Sequence, residues 1–307
     1  MVSLTHNQPP DFMSYWNAAL DELSETPVSQ ETSEVQLRST DFCKTYRIHL
    51  TSLGPYRIFG YLSIPTGEGP FPARYYLPKY GSVVEPIPQG SANSQRENYV
   101  TFSLGARGQR GSDQPFAASF PGLLTEGIDD PLEYVFRGIV ADCCRGLEYL
   151  LGRPEVDLER VVGIGNDLAF ITASLTRGLT HIVTTPALFY ATSDISVRTN
   201  LYPLEEINDY TRRYPSKSED VAKTLSYMDL RWFDPPEEGM TLMIGGSGHD
   251  LLNQEMMQPL LHKFGEKLEF HPTEHSAYRD GLFSERWIAG QMGIADRLCP
   301  SIGSKCF

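Results

Sequence analysis

Long apolar runs are missing from this chain of 307 residues. No stretch approaches the ~18 consecutive apolar residues that a membrane-spanning helix needs, which excludes a helical membrane protein. Cysteine is scarce: Cys43, Cys143, Cys144, Cys299 and Cys306 are odd in number and show no C-x-x-C spacing. That excludes a disulfide framework and a cysteine zinc site. Vicinal Cys143 and Cys144 fall inside a helical pattern, where thiols serve as small packing groups. Basic side chains are outnumbered, 26 against 39 acidic ones, for a formal net charge of −13. This balance argues for solubility and excludes nucleic acid and anionic membrane as expected partners, but it does not identify a substrate. Met1 to Trp16 carries no basic stretch followed by an apolar one, unlike a secretory leader. Together these absences predict a reduced, soluble, cytoplasmic protein. No H-E-x-x-H or clustered Cys/His spacing occurs, and Gly163-x-Gly165 lacks the third glycine of a dinucleotide fingerprint. Neither a metal nor a cofactor is therefore expected.

What is present is core-forming material. Hydrophobic residues make up 40% and aromatics 11% of the chain, enough to exclude disorder and to fill one large α/β domain. Phe12, Tyr15, Trp16, Ala19, Leu20 and Leu23 recur at helical spacing, with Asp11 placed to cap that helix. β-like segments follow over 35–38, 45–50, 57–64 and 73–77, the second and third joined by a hairpin. After a further strand at 99–104 comes a Gly- and Pro-rich loop over 105–130, the kind that builds a binding face. A long helix is expected over 131–152, with Leu132, Val135, Ile139, Leu147 and Leu150 on its stripe. Strands at 161–164, 181–185, 240–244 and 267–270 then alternate with helices at 168–175, 251–264 and 278–292. Such alternation means a mostly parallel sheet with helices on both faces. The predicted organisation is an N-terminal helix and linker over 1–34 and an α/β domain over 35–295. That domain carries an insertion over 190–235, with a helix beginning near Ser218, and a loose tail over 296–307 follows it.

The most informative stretch is Arg160-Val-Val-Gly-Ile-Gly-Asn-Asp-Leu-Ala169. An apolar β-run meets a tight turn and then a helix, the context in which an α/β-hydrolase displays Ser in Gly-x-Ser-x-Gly. Here Asp167 stands at the tip. That fold orders its triad as nucleophile, acid, histidine. An acid follows in the Gly-rich loop after the 240–244 strand, where His249 and Asp250 compete for the position, and His275 comes after the next strand. Ser247 in Gly246-Ser-Gly248 is a rival nucleophile, but no acid-bearing strand separates it from His275, and a flexible turn is its ordinary role. His181, His262 and His271 have no partner pattern and read as ordinary histidines.

At these positions the chain resembles the acetyl xylan esterase/cephalosporin C deacetylase family of α/β-hydrolases. The likeness is carried by the opening helix from Asp11-Phe12 to Trp16, by Gly69-Pro-Phe-Pro-Ala73, and by Arg107-Gly-Gln109 with Gly111-Ser112. Arg153-Pro-Glu-Val-Asp157 and Thr224-Leu-Ser-Tyr227-Met-Asp229 carry it further, so that it spans roughly residues 11–292. The resemblance implies removal of acetyl groups from small acetylated sugars and from cephalosporin C, often within a homo-oligomeric ring. It also implies that His275 is the base and that the backbone N–H groups of Tyr80 and Leu168 form the oxyanion hole. The chain departs from the family where the nucleophile serine is Asp167, where the glycines after it are Ala169 and Phe170, and where His-Gly before the tyrosine is Pro78-Lys79.

Three readings follow. In the first, an esterase scaffold keeps its pocket but hydrolyses acetyl esters weakly or not at all, because a carboxylate attacking an ester puts charge beside the oxyanion and yields a mixed anhydride. In the second, Asp167 is the nucleophile or base for a different substrate, as in hydrolases that displace at saturated carbon. In the third, a deacetylase uses Asp167 with His275 to activate water. If Asp167 and His275 formed only a structural ion pair, the imidazole would become a worse base.

Overall fold

Among the described residues nine strands form one mixed sheet in the order β1-β2-β3-β5-β4-β6-β7-β8-β9. The computed structural model describes residues 7–81, 93–112, 118–237, 239–246 and 251–294. The strands are β1 (Glu31–Glu34), β2 (Cys43–Thr51), β3 (Arg57–Pro65), β4 (Phe71–Tyr76), β5 (Val100–Gly105), β6 (Val156–Ile164), β7 (His181–Thr184), β8 (Met240–Ile244) and β9 (Leu268–His271). β1, β2, β3 and β5 pair antiparallel, and from β5 to β9 every pairing is parallel.

Alternation along the parallel strands sends successive side chains to opposite faces. Val161, Ile182 and Met243 enter one core with α3 (Val135–Leu151), α4 (Asp167–Leu175) and α8 (Gln254–Phe264), while Val162, Val183 and Leu242 enter a second core under α9 (Ala277–Gln291). Both faces are thus covered, which is why these strands read as near-continuous apolar runs. Cys143 and Cys144 are buried thiols on α3, and burial pushes the Cys144 thiol up to about 12. They are packing groups. Among the described residues no helix is long and apolar enough to cross a membrane.

The first helix, α1 (Phe12–Glu25), packs where its stripe predicts, with Trp16 fully buried. Its indole N–H donates to the Tyr227 carbonyl at 3.0 Å, and the Tyr15 hydroxyl donates to the Pro131 carbonyl at 2.7 Å. Asp11 does not cap the helix; its carboxylate instead accepts from the Tyr227 hydroxyl at 2.7 Å. Residues 35–38 are not a strand either. Gln36–Arg38 is a 3₁₀ turn with Leu37 fully exposed, and the edge strand is the polar Glu31–Glu34 before it, zipped to β2 by its backbone. The long helix begins at Val135, which leaves Leu132 in the preceding turn at 65% exposure. Between β7 and β8 the chain forms α5 (Thr192–Ile195), α6 (Glu205–Arg213) and α7 (Ser218–Ser226) with no strand among the described residues. Asn93–Asn98 forms the short α2.

Candidate active site

β6 ends at Ile164, and α4 opens three residues later with Asp167 as its first residue. Gly165 fits the turn because a side chain there would press within 3.2 Å of the Leu77 Cβ and 3.4 Å of the Ala169 Cβ. Asp167 is 1% exposed. Its Oδ1 accepts the backbone N–H groups of Ala187, Leu188 and Phe189 at 3.1, 3.0 and 2.9 Å. Its Oδ2 accepts from Ala187 and Leu188 at 3.2 and 3.1 Å. Burial pushes the carboxyl above its ordinary value, with the three donors pulling the other way. The carboxylate is therefore spoken for by the loop after β7.

Asp167 itself has helical backbone. A nucleophile elbow holds its residue in a strained turn, yet the non-glycine residues with positive φ among those described are Ser29, Ala191 and His275. Asp167 is not one of them.

A pocket of about 270 Å³ opens beside α4. Tyr80 and Leu168 both line it, and neither backbone N–H donates to an acceptor among the described residues. The fold explains the first position. Gln109 accepts the Ala106 N–H at 3.2 Å through Oε1 and donates to the Lys79 carbonyl at 3.0 Å through Nε2, tying the end of β5 to the Pro78–Tyr80 segment. Leu168 follows from helix geometry, since the first N–H groups of a helix have no partner within it. Asp167 does not line this pocket. Glu206 does, and no sequence pattern singled it out. The Tyr80 hydroxyl donates to its Oε2 at 2.6 Å and the Leu124 N–H at 3.2 Å. The signal that could have found it is weak: a carboxylate just before the buried Ile207 on an otherwise polar helix.

His275 lies on the loop between β9 and α9, exposed, with φ +53. No hydrogen bond or ion pair joins it to Asp167, so the two do not form the structural ion pair that their sequence positions allowed. Asp280 on α9 fastens this loop, accepting from the Thr273 hydroxyl at 2.7 Å and the Glu274 N–H at 3.0 Å, while the His275 N–H donates to Thr273 Oγ1 at 3.1 Å. Burial pushes the Asp280 carboxyl up, but those donors together with His271, whose Nε2 lies 3.4 Å from Oδ1, outweigh it and hold it below its ordinary value. Its fastening is therefore present above the usual carboxylate range and fails only as pH drops through the lowered value. Asp280→Ala is expected to speed amide exchange at Glu274 and His275 by about tenfold, equivalent to ~1.4 kcal/mol of local opening. A change under about twofold would show that other contacts hold the loop. Ser247, His249 and Asp250 lie outside the described residues, as do Cys299 and Cys306. Among the described residues no group of His, Cys, Asp and Glu could hold a metal ion.

The chain is 26% identical over 235 residues to the acetyl esterase Axe7A of Xylanibacter ruminicola, covering 72% of this chain and 52% of that protein. It thus spans about half the length of this curated relative. Two solved structures superpose over nearly the whole chain: acetyl xylan esterase 1 from Thermoanaerobacterium sp. JW/SL YS485 (TM-score 0.80, 21% identity, 94% of this chain and 95% of that one) and the acetyl xylan esterase from Paenibacillus sp. R4 (TM-score 0.76, 21% identity, 94% and 96%). The 2,6-dihydroxy-pseudo-oxynicotine hydrolase follows at a TM-score of 0.54 and 16% identity, covering 91% of this chain and 71% of that one. These likenesses establish an α/β-hydrolase fold with an N-terminal helix and a mostly parallel mixed sheet. Residues 3–252 match the acetyl xylan esterase (AXE1) family, and the chain belongs to that family.

Proposed function

We propose that this chain is a carbohydrate acetyl-esterase scaffold whose pocket takes acetylated sugars and whose elbow supplies no nucleophile. One observation carries the reading: both oxygens of Asp167 accept backbone N–H groups of residues 187–189, away from the pocket that Tyr80 and Leu168 line. Asp167 occupies the position of the family's serine, so His275 has no hydroxyl there to activate. Even a liberated carboxylate would attack an ester poorly, since it carries charge toward a developing oxyanion. The N–H groups of Tyr80 and Leu168 remain as the acyl-binding pair, which supports retained binding.

The aspartyl-nucleophile reading is less well supported, because it needs a carboxylate oxygen free to attack. Label from heavy-oxygen water appearing in Asp167 after turnover would restore it. Hydrolysis of p-nitrophenyl acetate and of acetylated xylobiose by the wild type is expected to match the uncatalysed background. Asp167→Ser is expected to raise that rate by about 100-fold, the lower range for general-base assistance to a hydroxyl. Rapid turnover by the wild type would refute the proposal. If that turnover survived Asp167→Ala, the chemistry would belong to another group altogether.

A further inference from the structure

We propose that Glu206 reads the ligand: its Oε1 accepts a hydroxyl of a neutral sugar acetate, and its charge turns away anionic ligands. This deepens the acetylated-sugar reading and rests on it. Glu206 comes from the first turn of α6, in the segment between β7 and β8, and reaches a pocket otherwise built by the core loops.

Glu206 is 7% exposed. Oε2 holds two donors, the Tyr80 hydroxyl and the Leu124 N–H, whereas Oε1 takes no donor among the described residues although the side chain lines the pocket. Gly122 makes the seat. A Cβ at that position would fall 2.3 Å from Oε2 and 2.4 Å from Cδ, so any other residue would displace the carboxylate. The glycine backbone is extended there, so the requirement is space.

Oε1 faces the pocket with no protein donor among the described residues, so a ligand hydroxyl can take the place of solvent there. A ligand carboxylate or phosphate could not, because it would bring like charge into a space poorly screened by water. The other charges at the pocket do not reverse this preference. Arg107 is neutralised by Asp142 at 2.8 Å, and Lys79 is exposed. The phenol that Glu206 holds belongs to Tyr80, whose N–H is the proposed acyl-oxygen donor, so the hydroxyl contact sits one side chain from the acetyl group. Tyr202, 67% exposed with its ring centroid 6.0 Å from that of Tyr80, offers an aromatic face beside it.

Two probes with the same ring separate the terms: methyl 2-O-acetyl-xyloside, and methyl 2-O-acetyl-glucuronide, which adds a carboxylate. Calorimetric titration of the wild type at pH 7 is expected to favour the neutral probe by about tenfold. Glu206→Gln should shrink that ratio to about twofold or less. Gly122→Ala, which keeps the carboxylate but unseats it, should do the same. Equal affinity of the wild type for both probes overturns charge selection while leaving the sugar reading intact. So does a preference that persists in both variants with melting temperatures near that of the wild type. Failure of the wild type to bind either probe defeats the acetylated-sugar reading and this proposal with it.

Discussion

Asp167→Ala is expected to cost about 3–5 kcal/mol of folding stability, although the residue does not line the pocket. Alanine would leave the N–H groups of Ala187, Leu188 and Phe189 without the acceptor that now serves all three. Leu188 and Phe189 are buried, so water cannot replace the carboxylate without opening the loop. Chemical denaturation with an unchanged m value is the measurement, and a loss below about 1 kcal/mol would show that the loop holds itself. The same group sets a pH dependence. Burial raises its folded pKa above the unfolded one, so its contribution is complete below the unfolded value and declines as pH rises through the folded one. Asp167→Asn has no proton to lose there. The stability of the wild type relative to Asp167→Asn should therefore fall as pH rises above the ordinary carboxylate range.

The second large effect is expected at Arg107. Its Nε and Nη2 donate to the two oxygens of Asp142 at 2.9 and 2.8 Å, its backbone N–H adds a third bond at 2.9 Å, and Asp142 is fully buried. The guanidinium lies across Gly138 of α3, where a Cβ would meet Nη1 at 2.3 Å. Arg107→Met strands a buried carboxylate and should destabilise the fold by about 3–5 kcal/mol. Arg107→Met combined with Asp142→Leu removes both charges and should recover most of that loss, because the penalty belongs to the unpaired charge and not to the missing attraction. A double variant as unstable as the single one would mean that the pair's geometry, with its bond from Arg107 Nη2 to the Leu53 carbonyl at 2.9 Å, is itself what holds the loop. Either variant should also disturb the pocket, since Gln109 in the same loop steadies Lys79.

How much of this was legible beforehand follows from the range of the interactions. β8 was readable residue for residue as Met240–Ile244, because a strand buried on both faces is a run of apolar residues. Edge strand β1 was not, since Glu-Thr-Ser-Glu carries no apolar alternation and is a strand only through pairing with β2. Tyr80 and Leu168 were named together only through the family resemblance, and both line one pocket. The tip position of Asp167 was legible, but its orientation was not. The turn toward residues 187–189 depends on the loop after β7, which offers a row of backbone N–H groups that no side-chain pattern announces. Glu206 escaped for the same reason: its partner Tyr80 stands 126 residues away.

The fastening of α1 bears on how the protein is made. Trp16 is hydrogen-bonded to Tyr227, 211 residues further on, and its ring lies 5.8 Å from that of Phe233. A ribosome adding about 5–20 residues per second releases those partners roughly 10–40 s after the helix emerges. Throughout that interval Trp16 lacks these partners, although Tyr15 gains Pro131 about halfway through it. The indole of Trp16 is therefore covered only when residues 227–233 have been made, long after its own helix.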